Sequence, residues 1–454
     1  MINSIKQYLS NKKILILGFG VEGRSTFALL RNIMPEQPLT IADIDPKALQ
    51  KANMKVSDLI SFQTGNAYLH NIEHFDLIIK SPGVSVKNLH LKTHITSQAE
   101  LFLQNLSKQI IGITGTKGKS TTASLIFSII KLHTENSIFV GNIGIPPFDL
   151  IPSIDNNTIV VAEFSSHQLE HITKSPHISV LLNLYQDHLD HYNSFTEYLK
   201  AKFNIINFQG ESDILIYNDD NELIKHYIEK IDLKQAKYAF SAIRQNQNGC
   251  YLNNDEEIVF SAEGQDRIIM HKADIPIMGI HNMMNVMAAI STCMVLGITT
   301  EVIRNGIKSF KGLEHRIEYV GKYHGIQYYN DSIATVPEAT IYAIKALQTV
   351  DTLILGGYDR GIDYKRLATF LNESKVGNFI FMGNAGERIC ELMKKENSQK
   401  KTHFMVSNLA DAITISKSCT LQDAICLLSP AAASYDAFTN YKEKGQLFKS
   451  LVRR

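Results

Sequence analysis

The 454-residue chain is 44% hydrophobic and 20% charged, and its 46 Lys+Arg against 45 Asp+Glu leave a formal net charge of +1. At roughly 100–200 residues per domain there is room for two to four domains, each able to bury a core without disulfides or metals. The balance excludes disordered, collagen-like and low-complexity classes, and no basic excess points to nucleic acid. The opening segment, MINSIKQYLSNKK, lacks the apolar core of a signal peptide. No apolar run reaches the roughly 18 residues that a membrane-spanning helix needs. Five cysteines (Cys250, Cys293, Cys390, Cys419, Cys426) show no C-x-x-C spacing and read as reduced thiols. The expectation is a cytoplasmic protein that neither binds nucleic acid nor inserts in a membrane.

In chain order, an apolar run at residues 12–20 ends in glycines and predicts a strand and tight turn. Further strands are predicted at 39–44 and 76–84. A second block opens at 108–122 with strand, glycine loop and a helix over 120–131. Strands follow at 158–164, 178–184 and 213–218, with a helix over 195–208 between the last two. Residues 245–266 are polar and strand-poor, and predict only hairpins at the rim of this block. A helix follows over 283–296. The third block begins near Lys311 and carries the strand and glycine turn of 352–361. Short apolar runs alternating with helical patterns predict buried parallel strands in βαβ units. The reading is α/β throughout, in three domains: 1–107, 108–310 and 311–454.

The first glycine loop is G-F-G-V-E-G from Gly18 to Gly23, in strand–turn–helix context. Such a turn lets a diphosphate sit on the helix N-terminus. Asp43, after the next strand, stands where a ribose hydroxyl is held, so a dinucleotide is the first expectation. The pattern alone also fits any α/β domain with a tight first turn. The second loop, Gly115-Thr116-Lys117-Gly118-Lys119-Ser120, is more specific. Its backbone N–H groups would cradle phosphates, Lys119 would offset their charge, and Ser120 would bind Mg²⁺. The strict P-loop pattern asks for glycine where Ile113 stands, so this is a variant P-loop for ATP. Glu163 closes a strand, where a carboxylate suits Mg²⁺; a plain surface acid at a strand end is the alternative. Residues 183–192 read NLYQDHLDHY, and two acids with two histidines suggest metal or phosphate chemistry, or merely a polar loop. Lys202 reads as one solvated helix lysine among many.

With GTKGKS and DHLDHY in this order, and with EFSSHQLE (163–170), HNMMN (281–285), EHR (314–316), NDSIAT (330–335) and LSPAAAS (428–434), the chain resembles the Mur ligases. These are ATP-dependent amino-acid-adding enzymes of peptidoglycan synthesis. The resemblance covers essentially the whole chain, and GNIGIP, EFSSHQLE and LSPAAAS match the glutamate-adding branch. It implies a Rossmann-like N-terminal domain, a P-loop-type central ATP-binding domain and a Rossmann-like C-terminal domain. It implies a monomer that adds D-glutamate to UDP-N-acetylmuramoyl-L-alanine through an acyl phosphate, using ATP and two Mg²⁺ ions. The same ligation with L-glutamate, and a P-loop nucleotide-binding protein without ligase chemistry, are the alternatives.

The resemblance redirects the first glycine loop from a dinucleotide to a uridine diphosphate. Val21, Glu22, Asp43 and Gly83 then match contacts to the UDP substrate, as do Asn142, Ser165 and Gln168. Gly115, Thr116, Lys117, Gly118, Lys119, Ser120 and Thr121 match the ATP loop, with Asn282, Asn285, Arg316 and Asp331 as further nucleotide contacts. Glu163 and His188 match the Mg²⁺-binding pair, joined by Ser120. Lys202 matches a carbamylated lysine that helps hold the second ion. Asp187 and His188 stand where they would orient or deprotonate the incoming amine. Thr335, Arg360, Ser434 and Tyr441 match the glutamate pocket. Ile333 replaces a lysine found in many relatives, Asp45 and His191 replace common arginines, and Arg360 is lysine in some members. The enantiomer of glutamate therefore stays open at this point.

Overall fold

A computed structural model describes residues 1–51, 54–86, 93–142, 145–187, 191–277, 279–395, 401–434 and 438–454. His188 and Asp190 lie outside the described residues. The first sheet contains β1 (Ile14–Leu17), β2 (Leu39–Asp43), β3 (Ile60–Thr64), β4 (Leu77–Lys80) and β5 (His94–Thr96), in the order β3-β2-β1-β4-β5. All its pairings are parallel. β1 reads ILIL and is buried at every position, as a strand covered on both faces must be. The order reverses between β1 and β4, which opens a crevice at the carboxyl ends of these strands.

The second sheet holds β6 (Ile110–Thr114), β7 (Ser137–Gly141), β8 (Ile159–Glu163), β9 (Ile178–Leu181), β10 (Ile214–Asn218), β11 (Ala236–Ser241), β12 (Gly249–Leu252), β13 (Glu257–Ala262) and β14 (Gln265–His271). Its order is β14-β13-β12-β11-β10-β9-β6-β8-β7. Pairing is parallel from β7 to β12 and antiparallel beyond. The reading of 245–266 as strand-poor is thereby corrected. This stretch and the residues just after it supply three strands, which form hairpins and extend the central sheet. Their polar turns diluted the composition, while Ile258, Val259 and Phe260 are buried in succession.

The third sheet runs β15-β16-β20-β17-β18-β19, from β15 (Glu318–Tyr323), β16 (Ile326–Asn330), β17 (Val350–Gly356), β18 (Asn378–Met382), β19 (Thr402–Val406) and β20 (Ile425–Leu428). Only β15–β16 is antiparallel. The chain divides into two compact units. Met1–Ile275 with Ile280–Ser309 carries the first two sheets, and Pro276–Gly279 with Phe310–Arg454 carries the third. In the first unit one apolar cluster runs from β1 through Phe102 and Leu103 to Phe148, Val160 and Phe203. The helix Gln98–Leu106 thus joins the first two sheets by shared core, and Ser97 caps it through Glu100 N. Among the described residues, no helix is long and apolar enough to cross a membrane.

Candidate active site

β6 delivers Thr114 to the glycine loop, which then opens the helix Lys119–His133. Gly118 sits at φ +86°, and a Cβ there would lie 2.4 Å from Asn285 Oδ1. Glycine is therefore required both by the left-handed backbone and by the close approach of Asn285. Asn285 is buried on the helix Ile280–Val295 and donates to Asn282 Oδ1 at 3.3 Å. Asn183 clasps the loop from beyond β9. Its Oδ1 accepts from Lys117 N (2.8 Å), its Nδ2 donates to Lys117 O (2.9 Å), and its carbonyl accepts from Thr116 N (2.8 Å). Tyr198 OH meets Thr116 Oγ1 at 2.7 Å. Neither Asn183 nor Tyr198 stands out in the sequence. Lys119 Nζ donates to Gly115 O and Thr116 O, each at 3.0 Å.

Lys202 is 1% exposed, which overturns its reading as a solvated helix lysine. The helix Phe195–Asn207 turns Tyr198, Lys202 and Ile205 inward together, as 3.6-residue periodicity requires. Lys202 Nζ donates to Thr114 Oγ1 (2.9 Å) and Gly115 O (3.0 Å). Burial pushes its pKa well below the ordinary lysine value, and the neighbouring Lys119 charge adds to this; Glu163 and Asp187 oppose it. Glu163, at the end of β8, is 1% exposed. Its Oε1 accepts from Asn142 Nδ2 at 2.9 Å, whereas Oε2 is buried with no hydrogen-bond partner among the described residues. Such an orphaned acceptor costs roughly 1–3 kcal/mol or more unless a donor or cation reaches it. Asp187 Oδ2 pairs with Lys117 Nζ at 3.3 Å.

At the first glycine turn, a Cβ on Gly23 would lie 2.0 Å from Gly18 O, so the helix Val21–Ile33 can pack on the turn only without a side chain there. Asp43 accepts from Phe19 N (2.5 Å) and Asp45 N (2.8 Å); its carboxylate braces the turn. Glu22 accepts from Gln168 Nε2 at 2.5 Å. Burial raises its pKa to about 7, against the Gln168 hydrogen bond and the Lys80 charge. Ser165 and Gln168 form a reciprocal capping box on the short helix Ser166–Leu169. Val21 and Gly83 are exposed. The structure thus gathers Glu22, Ser165 and Gln168, and sets Asn142 against Glu163.

In the second unit Asp331 follows β16 and is 4% exposed. It accepts from Ser429 Oγ (2.8 Å) and Ile317 N (3.2 Å). Exposed Arg316 stands between His315 and Ile317, both with left-handed backbones. The Tyr441 ring meets His315 edge-on with centroids 5.9 Å apart. Arg360 donates to Thr335 O at 3.1 Å. Ser434 Oγ is buried with no hydrogen-bond partner among the described residues.

Burial raises the Asp331 pKa to about 7, with the Ser429 and Ile317 hydrogen bonds and the Arg316 charge opposing. The native state then holds its proton better than the unfolded chain does. Asp331 stabilises fully below about pH 4, and that contribution is lost as pH rises to about 7. At about 1.4 kcal/mol per pKa unit the loss is on the order of 4 kcal/mol. Asp331→Asn should therefore flatten the fall in melting temperature of the second unit across this window. Parallel melting curves for variant and wild type from pH 4 to 8 would refute the assignment.

Two family models match the chain: the Mur ligase middle domain over residues 113–293, and the Mur ligase glutamate ligase domain over residues 315–431. Proteins named UDP-N-acetylmuramoylalanine--D-glutamate ligase are similar over nearly full length. That of Clostridium tetani is 30% identical over 99% of this chain and 98% of its own. That of Thermoanaerobacter sp. strain X514 is 34% identical over 98% of each chain. Among solved structures, UDP-N-acetylmuramate-alanine ligase MurC from Thermotoga maritima shares the fold with a TM-score of 0.56 at 18% identity, covering 97% of this chain and 99% of that one. The MurF ligase of Thermotoga maritima in complex with ADP also has a TM-score of 0.56, at 14% identity over 97% of this chain and 95% of that one. The chain belongs to the Mur ligase family of ATP-dependent, amide-bond-forming ligases.

Proposed function

We propose that this ligase of peptidoglycan synthesis joins D-glutamate to the alanyl carboxylate of UDP-N-acetylmuramoyl-L-alanine, through an acyl phosphate. The names of the full-length relatives support the two substrates and the enantiomer. The observation that carries the reading is Lys202, buried at the ATP loop with a depressed pKa. Carbamylation requires the amine to lose its charge, which burial of Lys202 favours, and a mere nucleotide sensor has no use for a lysine so placed.

The backbone N–H groups of Gly115, Gly118, Lys119, Ser120 and Thr121 bind the ATP phosphates, while Thr116 and Lys117, whose N–H groups Asn183 holds, fix the shape of the loop around them. Asn282 and Asn285 are assigned to the rest of the nucleotide in the first unit, and in the second unit Arg316 and Asp331 are the residues that match nucleotide contacts. Lys119 exchanges its two loop carbonyls for oxygens of the transferring phosphoryl group and offsets their charge. The alanyl carboxylate attacks the γ-phosphorus and ADP leaves. The glutamate amine then attacks the acyl carbon, phosphate leaves, and the amine proton passes to Asp187 or His188. The buried Oε2 of Glu163, without a hydrogen-bond partner among the described residues, fits a hard cation, since Mg²⁺ needs only one or two carboxylates beside phosphate oxygens. Ser120, Glu163, His188 and a carbamylated Lys202 would hold two Mg²⁺ ions, which supply positive charge against crowded phosphate and carboxylate oxygens. Val21, Glu22, Asp43 and Gly83, with Asn142, Ser165 and Gln168, line or brace the UDP-substrate side.

Thr335, Arg360, Ser434 and Tyr441 form the glutamate pocket. Arg360 suits a carboxylate bidentately, and the Ser434 hydroxyl, without a hydrogen-bond partner among the described residues, is a ready donor. Arg360→Ala should raise the glutamate KM on the order of 10- to 150-fold, the worth of a charge-assisted hydrogen bond, and leave the ATP KM alone. Steady-state assays with both enantiomers should favour D-glutamate despite Ile333. A preference for L-glutamate would overturn the enantiomer, and equal kcat/KM for aspartate and glutamate would sink the pocket.

A further inference from the structure

Glu170 ends the EFSSHQLE run, just past the helix Ser166–Leu169. One of its oxygens meets groups from two distant segments and lies near its own neighbour in the chain. Oε2 lies 3.2 Å from Lys80 Nζ at the end of β4, 3.4 Å from His191 Nε2 in the 183–192 loop, and 3.6 Å from His171 Nε2. Lys80 is 2% exposed, and its Nζ also donates to Val84 O at 2.9 Å. It thereby closes the 81–84 loop that contains Gly83. From the other side, Ser85 Oγ donates to the His191 carbonyl at 3.4 Å. The His191 ring lies 4.0 Å from His167 and 4.8 Å from Tyr192. Tyr192 in turn packs 5.7 Å from Tyr198, which holds Thr116 of the ATP loop. Asn204, on the helix that carries Lys202, donates to Leu169 O at 3.0 Å.

Burial alone would raise the Glu170 pKa, but the His191 hydrogen bond and the Lys80 charge hold it down at about 2. A buried ion pair is a poor source of stability, because a packed apolar pair of similar volume does as well. What the pair adds is register between segments far apart in sequence.

We infer that Glu170 is a positioning residue that acts in two directions at once: on the 81–84 loop beside the UDP-substrate, and, through His191 and Tyr192, on the helix Phe195–Asn207 that carries Lys202. The inference rests on the proposed ligation. Lys80 transmits the first effect and His191 the second. Losing the Glu170 charge should weaken the UDP-substrate and slow the chemistry, while ATP binding stays as it is.

The test is Glu170→Gln in the full-length enzyme, with KM for each substrate and kcat measured. The KM for UDP-N-acetylmuramoyl-L-alanine should rise about tenfold and kcat should fall about tenfold, as expected for hydrogen bonds to a charged group. The ATP KM should stay within about twofold, because no nucleotide contact is removed. Lys80→Met should reproduce the KM change and His191→Gln the kcat change. A merely structural role would lower the active fraction instead, so that kcat falls alike in all three variants with every KM unchanged; that result overturns the inference. So does a Glu170→Gln enzyme with both constants at the wild-type level. Should Glu170→Gln not fold, the split between Lys80→Met and His191→Gln decides. A wild-type enzyme inactive on these substrates would instead refute the proposed ligation.

Discussion

Lys119→Ala should lower ligation on the order of 10²- to 10³-fold, the usual worth of a group that meets charge developing on a transferred phosphoryl. Lys119 stands at the start of the helix Lys119–His133, with its ammonium on Gly115 O and Thr116 O. Both carbonyls belong to the loop assigned to the phosphates, so the ammonium already stands at the edge of that site. The loop's shape does not depend on Lys119, because Asn183 and Tyr198 hold Thr116 and Lys117 independently. The loss should therefore fall on turnover rather than on folding, and an unchanged melting temperature beside the lost phosphate release would show it. Retention of more than about a tenth of wild-type turnover would remove the ATP-site assignment.

Lys202→Ala should be nearly inactive, by on the order of 100-fold, the upper range for losing a group that supports a metal site. The variant takes one donor from Thr114 Oγ1 and one from Gly115 O, which keeps its hydrogen bond from Lys119 Nζ, but it also removes a buried amine whose charged form burial disfavours. These effects on stability oppose each other, so the activity loss should far exceed any change in melting temperature. A short carboxylic acid in the buffer should restore part of the activity by standing in for the carbamate. Depleting CO₂ should depress the wild type and leave the variant where it is. A fully active alanine variant at saturating Mg²⁺ would show that Lys202 only packs the helix against the loop.

The strands and the glycine loops were legible because their determinants are local. Continuous apolar runs such as ILIL mark strands covered on both faces. Spacing alone marks the second glycine loop, the one assigned to ATP. The departure at Ile113 also has a physical reason: the residue lies fully buried within β6, paired with Glu163 and Val180. A core side chain is wanted there, and the loop begins only at Gly115. The burial of Lys202 was partly legible. The inward face through Tyr198 and Ile205 includes position 202, while Lys200 faces solvent; composition alone does not separate the two lysines. What the sequence could not reveal is contact between distant segments. Glu170 and Lys80 are ninety positions apart, and Asn183 reaches back to Lys117. Asp43 also holds the backbone of Phe19, a contact the sequence does not announce. The polar stretch near 245–266 hid its strands because short buried runs alternate there with exposed turns.

The most direct test of the central claim is ADP and phosphate release from the purified enzyme with Mg²⁺ and ATP, as each remaining substrate is omitted in turn. Sustained turnover should require both UDP-N-acetylmuramoyl-L-alanine and D-glutamate, with one ADP and one phosphate per amide formed. ATP hydrolysis at the same rate without the UDP-substrate, with no amide product when all components are present, would contradict it.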